Sequence, residues 1–178
     1  VIFMENSNKD VYCLFCVAGS EGMVIKQLQR LGYQALSPIV LKWKPVNGKL
    51  TKRPSRLLPG YIFFSANNDC TPDWDSIRSI QKMLRILQYD DGNRALRGSD
   101  YEFYNWLKRY EGVIDISQVV QEGTKIRFVN GPLKELKGIV VKVNKSRKQV
   151  AVNLGDDSAI RLVWCGIEYV EAILYEKH

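Results

Sequence analysis

Residues 122–152, EGTKIRFVNGPLKELKGIVVKVNKSRKQVAV, constrain the fold of this chain more than any other stretch. Residues 124–129 alternate polar and apolar side chains and stop at Asn130-Gly131-Pro132. A period of two marks a strand with one buried face. Gly and Pro supply the backbone angles of a tight turn. A short basic loop follows, and Gly138 opens a second strand over 138–144. Glycine at that point signals a bulge or a close backbone approach. Further strands are expected at 149–154, 159–164 and 168–170. Five short strands separated by turns predict a small β-barrel. The β-branched Ile139, Val140, Val141, Val143, Val150 and Val152 favour strand there.

Upstream, helix and strand signals alternate. Residues 12–17 read as a buried strand ended by Gly19. Ser20 is placed to cap a helix over 21–31, with Val24, Leu28 and Leu31 on one face and Gly32 at its stop. Residues 34–43 read as extended, and Asn47-Gly48 is a strong hairpin signal within 45–54. A strand is expected over 57–64, with Pro59-Gly60 near its start. Thr71-Pro72 suits the start of a short helix to about Ile80. A strand over 83–89 follows, and Ser99 to Glu102 has the pattern of a capping box. The helix it opens runs to about Tyr110, with Phe103, Trp106, Leu107 and Tyr110 on one side. Residues 113–121 have no clear period and read as a linker. The expected architecture is α+β: a domain over 9–112 with an antiparallel sheet flanked by helices, a linker over 113–121, and a five-stranded barrel domain over 122–178.

Function classes can be excluded on chemistry. No apolar run approaches the roughly 20 residues of a membrane helix, and the first residues lack the pattern of a signal peptide. Met4 is one candidate for the native start. A cytoplasmic protein without a membrane partner is expected. Cys13 and Cys16 form a C-x-x-C, readable as a redox pair or half a zinc site. They sit in an apolar strand where their side chains face opposite sides, no second C-x-x-C exists, and the single histidine is His178. For this pair buried structural thiols are the favoured reading; Cys70 and Cys165 are the other two cysteines. No catalytic residues, metal or cofactor are expected. The net charge of +7 favours a polyanionic partner.

Residues 122–152 resemble the core of a KOW motif. The first domain is similar to the N-terminal (NGN) domain of the NusG family of transcription elongation factors. Carrying that resemblance are Tyr12-Cys13-Leu14-Phe15-Cys16-Val17, Gly19-Ser20-Glu21, Arg56-Leu57-Leu58-Pro59-Gly60-Tyr61-Ile62-Phe63 and Trp74-Asp75-Ser76-Ile77-Arg78. The resemblance implies no covalent chemistry. It implies instead that the first domain docks on the clamp helices of bacterial RNA polymerase and reaches its gate loop. Within the family the chain resembles LoaP-type antiterminators of long biosynthetic operons, which implies that the KOW domain binds an RNA hairpin in the operon leader. A monomer is expected. Two alternatives remain: a housekeeping NusG-type factor whose KOW domain binds ribosomal protein or termination factor, and an RfaH-like factor whose KOW domain switches fold.

Three sets of candidate residues follow. Tyr61 and Phe63 share one face of their strand and are expected, with Trp74 and the loop over 69–73, to meet the polymerase; the other reading makes both rings core. The hairpin carries Lys42, Lys44, Lys49, Lys52, Arg53 and Arg56 and no acid, beside Trp43. It reads either as a phosphate-contacting arm near upstream DNA or as a solvated basic loop. From Glu122 onward, ten Lys and Arg stand against seven Asp and Glu, and the acids gather late. Lys125, Arg127, Lys134, Lys137, Lys142, Lys145, Arg147 and Lys148 are expected to converge at one end of the barrel on an RNA stem, or else to form an ordinary basic surface.

Overall fold

The computed structural model describes residues 9–66 and 70–171. Met4, Asp69, Glu176, Lys177 and His178 lie outside them. The described elements begin β1 (Val11–Cys16), α1 (Glu21–Arg30), β2 (Tyr33–Leu36), β3 (Ile39–Val46), β4 (Lys49–Arg56), β5 (Tyr61–Ala66), α2 (Trp74–Arg78) and β6 (Met83–Ile86). They continue α3 (Gly98–Arg109), β7 (Val113–Ile114), β8 (Ser117–Glu122), β9 (Lys125–Asn130), β10 (Ile139–Asn144), β11 (Gln149–Asn153) and β12 (Leu162–Tyr169). A 3-10 turn spans Pro132–Lys134. The chain divides into two compact units. One takes the chain up to Ser37 together with Pro59–Leu96; the other takes Pro38–Leu58 and the chain from Arg97 onward. The expected boundary at 112/113 is therefore not where compactness changes. Hairpin β3–β4 and helix α3 go with the C-terminal strands.

In the first unit a four-stranded antiparallel sheet runs in the order β2-β5-β1-β6. Tyr12, Leu14, Cys16, Ile62 and Phe64 on one sheet face pack with Val24 and Leu28 of α1 and Ile77 of α2. Each such large side chain, once buried, contributes about 2 kcal/mol through the hydrophobic effect. The i, i+4 spacing of Val24 and Leu28 aims α1 at this face. Ser20 occupies the N-cap of α1 without a side-chain cap bond. The adjacent Glu21 does the local hydrogen bonding instead. Its buried carboxylate accepts from the N–H of Gly19 and the N–H of Gly60, both at 2.8 Å, and so ties two loops together. Thr71 is not the cap of α2. Asp73 is, accepting from Ser76 N at 3.2 Å and Ser76 Oγ at 2.7 Å.

The Pro59-Gly60-Tyr61 sequence splits the expected strand over 57–64. Gly60 has φ +83°, and a Cβ there would lie 2.7 Å from Cys16 O. The strand restarts at Tyr61 with Gly60 O accepting from Cys16 N at 2.8 Å. Cys13 and Cys16 are both buried and lie on opposite sheet faces, since Cys13 pairs with Phe63 while Cys16 joins the helix-covered cluster. Among the described residues no group of three or more His, Cys, Asp or Glu can hold a metal. None of the described helices is long and apolar enough to cross a membrane.

In the second unit the five-stranded order is β10-β11-β12-β8-β9, with β12 and β8 parallel and the other pairs antiparallel. Two expectations change. The linker over 113–121 is largely strand, because Val119 and Val120 are fully buried and β8 pairs with both β9 and β12. The strands expected at 159–164 and 168–170 are one strand, β12, running through Gly166. Gly138 makes the expected close approach: a Cβ there would meet Asn153 O and Val152 Cγ1 at 2.7 Å. The register slips between Val140 and Lys142, as a bulge requires. Hairpin β3–β4 pairs eight residues on each strand around Asn47 (φ +50°) and Gly48 (φ +75°), the left-handed pair of a type I′ turn. A third strand, β7, runs parallel to β3.

Helix α3 is capped from a distance, not by a box of its own. Its N-cap, Arg97, makes no side-chain cap bond. Asp157 accepts from Ser99 N at 3.0 Å and Ser99 Oγ at 2.6 Å. In return, the fully buried Asp100 accepts from Ser158 Oγ at 2.7 Å, Ala159 N at 3.0 Å and Ile160 N at 3.4 Å. Glu102, expected to reach back to the cap, pairs with Lys137. Trp106 Nε1 donates to Pro132 O at 2.8 Å, and Tyr110 Oη donates to Glu135 at 2.8 Å.

Gly60→Ala is expected to destabilise the protein by about 1–3 kcal/mol through left-handed strain and the clash with Cys16 O. Gly22→Ala, in α1 with nothing within 4 Å, should instead stabilise by about 0.5 kcal/mol; urea midpoints of the two variants check the contrast. The two hydrogen bonds from Ser99 hold the Asp157 carboxyl below its ordinary value of 3.8. A depressed carboxyl contributes stability that is complete above that value and lost as pH falls through the lower folded one. A urea series from pH 6 to pH 2.5 should show this acid loss, with a smaller loss in Ser99→Ala.

Candidate functional site

On the sheet face of the first unit opposite α1 and α2, the register brings Phe15 directly across from Tyr61 on one side and Arg85 on the other. The Phe15 and Tyr61 rings meet edge-on with centroids 4.4 Å apart, and the Arg85 guanidinium carbon lies 4.1 Å from the Phe15 centroid. Both rings are half-buried, and Arg85 is exposed. The result is an accessible aromatic pair with a cation stacked on it, the composition of a protein-binding hot spot.

The structure does not bring Tyr61, Phe63 and Trp74 to one surface. Phe63 does share the face of Tyr61, but it is only 1% exposed and belongs to the core. Trp74 lies on the other side of the sheet, its ring 5.0 Å from Tyr12 and 6.3 Å from Phe64, with Arg94 at 4.6 Å from it. Tyr61, Phe63 and Trp74 are therefore not one surface. The sequence does not point to Phe15 and Arg85 as neighbours of Tyr61, because their pairing is cross-strand and one sequence carries no register. Arg78, Arg85 and Arg94 also line a common groove beside β6, the edge strand.

The cations of the second unit fall into two groups, because a strand has two ends. The loop over 131–138, with Lys134 and Lys137, precedes β10; the turn with Lys145, Arg147 and Lys148 follows it. Six residues of strand separate them by roughly 20 Å. The expected convergence of all eight at one end is thus not what the fold gives. Lys137 is engaged by Glu102 at 3.3 Å, in the region where Arg109 pairs with Glu135 at 3.3 Å. Lys125 and Lys142 line one groove between β9 and the middle of β10. Arg127 pairs with Glu122.

The turn end is also where hairpin β3–β4 lies. Trp43 Nε1 donates to Ile167 O at 3.0 Å, and Lys148 Nζ stands 5.6 Å from the Trp43 ring centroid. Burial lowers the Lys42 pKa, with Cys165 partly offsetting it; burial pushes the Cys165 thiol up to about 12. Lys42 is half-buried, whereas Lys44, Lys49, Lys52 and Arg53 are exposed. Lys52 pairs with Asp115 at 2.6 Å. Arg56 is half-buried at the base of β4. Such a surface can bind phosphates.

Comparison with known proteins adds the following. A family model described as "Transcription termination factor nusG" matches residues 9–105. No curated protein matches the chain. Among solved structures, the chain is similar to Thermotoga maritima NusG, in a structure concerned with its domain interaction, at 19% identity over 88% of this chain and 92% of that one, with a TM-score of 0.49. It is also similar to the MjSpt4:Spt5 complex in conformation B, at 13% identity over 88% and 91% of the two chains, with a TM-score of 0.33. The family therefore rests on the sequence match, which spans more than half of the chain.

Proposed function

This chain belongs to the NusG family of transcription factors, and we propose that it acts as an operon-specific elongation and antitermination factor of the LoaP type. In this reading the first unit grips RNA polymerase at its clamp helices through Phe15, Tyr61 and Arg85. Basic residues of the second unit hold an RNA hairpin in the operon leader. Holding the leader raises the local concentration of the factor at one transcription complex, which gives operon selectivity without base-specific DNA contacts. The observation that carries the RNA half is the set of exposed cations around the β10–β11 turn, Lys145 and Arg147, next to Lys148 and Trp43.

A second reading has its own support. Ile139 and Val141 on β10 are 73% and 54% exposed, an apolar pair suited to a protein partner. A housekeeping NusG-type factor, with its KOW domain on ribosomal protein or termination factor, would use such a pair. Transcripts crosslinked to the full chain and sequenced separate the two. One predominant leader hairpin supports the operon-specific factor, and a spread over translated messages supports the housekeeping one.

Two outcomes are expected from substitution. Phe15→Ala with Tyr61→Ala should abolish co-precipitation of RNA polymerase while RNA binding stays within about twofold; equal loss of both would mean unfolding. Lys145→Ala with Arg147→Ala should weaken RNA binding about tenfold at fixed salt, whereas Lys134→Ala with Lys137→Ala should change it little. Fluorescence anisotropy with a labelled hairpin reads both pairs.

A further inference from the structure

We propose that the gap between β9 and β10 takes an extended, acidic segment of a partner protein as an added strand, which closes the sheet of the second unit. The proposal uses neither the polymerase half nor the RNA half of the function above. It gives the neighbourhood of the exposed Ile139 and Val141 a defined mode of binding.

The strand order β10-β11-β12-β8-β9 leaves β9 and β10 at its two ends. Both ends nevertheless line one groove, with Thr124, Lys125 and Ile126 on one side and Val140, Val141, Lys142 and Val143 on the other. The sheet has therefore curled until its edges face each other without pairing. An edge strand carries a row of N–H and C=O groups with no partner in the sheet. Two such rows face this groove. Followed through the order, β9 and β10 run in opposite directions. A strand laid between them is antiparallel to one and parallel to the other, and both ladders are allowed. The register slip at Val141 interrupts the edge of β10, so β9, regular from Lys125 to Phe128, offers the longer ladder.

Register also shows which side chains the segment must carry. Residues directly paired across strands lie on one face of a sheet. One face here runs through Val140–Val152–Val163 and Val143–Val150–Cys165. It continues through Ile167–Ser117, Tyr169–Val119–Phe128 and Gln121–Ile126. In its middle Val119, Val150, Val163, Cys165 and Ile167 are at most 1% exposed. At its ends Ile126, Phe128, Val140 and Val143 are only half-buried. The core thins toward the gap, and apolar side chains at alternate positions of an added strand would complete it. On the other face the two cations of the groove, Lys125 and Lys142, are exposed. No carboxylate lines the groove, and Glu122, across from Lys125, is held by Arg127. Acidic side chains at the remaining alternate positions complement that face.

The same lysines disfavour a second copy of this chain. Self-pairing of either edge would set like charges against each other, which is destabilising, and lysine on an edge is a common guard against such pairing. Phosphates of a nucleic acid could meet the two lysines, but they would neither extend the backbone ladders nor cover the apolar face. An acidic strand does all three.

The test uses the full chain and a fluorescein-labelled eight-residue peptide of alternating Glu and Val, with a peptide of alternating Lys and Val beside it. Wild type should bind the Glu–Val peptide saturably and about tenfold more tightly than the Lys–Val peptide. Lys125→Glu with Lys142→Glu should reverse the preference by about as much, since two cross-strand charge pairs change sign. Binding of the Lys–Val peptide by that variant also shows that it folds. Methylation of alternate peptide nitrogens examines the backbone: blocking either alternate set should abolish binding, because an inserted strand donates to both β9 and β10. Loss with one set alone means docking on a single edge and overturns closure of the sheet; loss with neither overturns strand addition. Equal affinity of wild type for both peptides overturns the choice of an acidic partner. Displacement of the Glu–Val peptide by a labelled RNA hairpin, whose own affinity falls in the doubly substituted chain, would assign the groove to RNA instead.

Discussion

The close passage of β3 over Gly166 of β12, fixed by the Trp43 indole donating to Ile167 O at 3.0 Å, sets the organisation of the second unit. Any side chain at position 166 would hold the strands apart. Because the approach is backbone to backbone, it places the whole ribbon at a fixed height over the sheet. That contact puts Lys148 on the Trp43 ring and makes the ribbon and the β10–β11 turn neighbours. A long two-stranded ribbon is marginal by itself. Its stability here comes from this seat, from β7 pairing with β3, and from the Lys52–Asp115 bridge.

The opposite end of the same unit is governed by a different interaction. Asp157 caps α3 and Asp100 of α3 caps the turn over 158–160, so each element supplies the acceptors the other lacks. Free helix termini leave backbone N–H groups unsatisfied. Here two aspartates satisfy them reciprocally, and Trp106 and Tyr110 extend the contact to the loop over 131–138. Asp100, Asp157, Glu102 and Glu135 thereby lie on or against α3, while Asp115 pairs with Lys52 on the ribbon and Glu168 follows Ile167 at the Trp43 contact.

Much of this architecture was legible locally. Asn47-Gly48 gave the hairpin and its turn type, Gly32 the stop of α1, Gly138 the close approach. The first two are properties of single residues against their own backbone; Gly138 shows only that something comes close, which is Asn153 O and Val152 of β11, and the register slip itself falls between Val140 and Lys142. What was not legible depends on pairing at a distance. The cap of α3 comes from a residue 58 positions away. Residues 117–122 look unpatterned because Val119 and Val120 are both buried, one on each face of β8, which removes the alternation that marks a half-buried strand. Phe15 and Arg85 meet Tyr61 only through sheet register. The basic residues were visible, but their division between the two ends of β10 was not, since charge counting along a chain ignores strand direction.

Hydrogen exchange of the Trp43 indole N–H, followed by NMR on protein labelled with 15N-tryptophan, tests the central contact most directly. Slow exchange is expected in the wild-type chain and fast exchange in Gly166→Val, in which the added side chain displaces β3, while the amides of β8 and β9 stay protected. A Trp43 indole exchanging at the rate of a free side chain in the wild-type protein would contradict it.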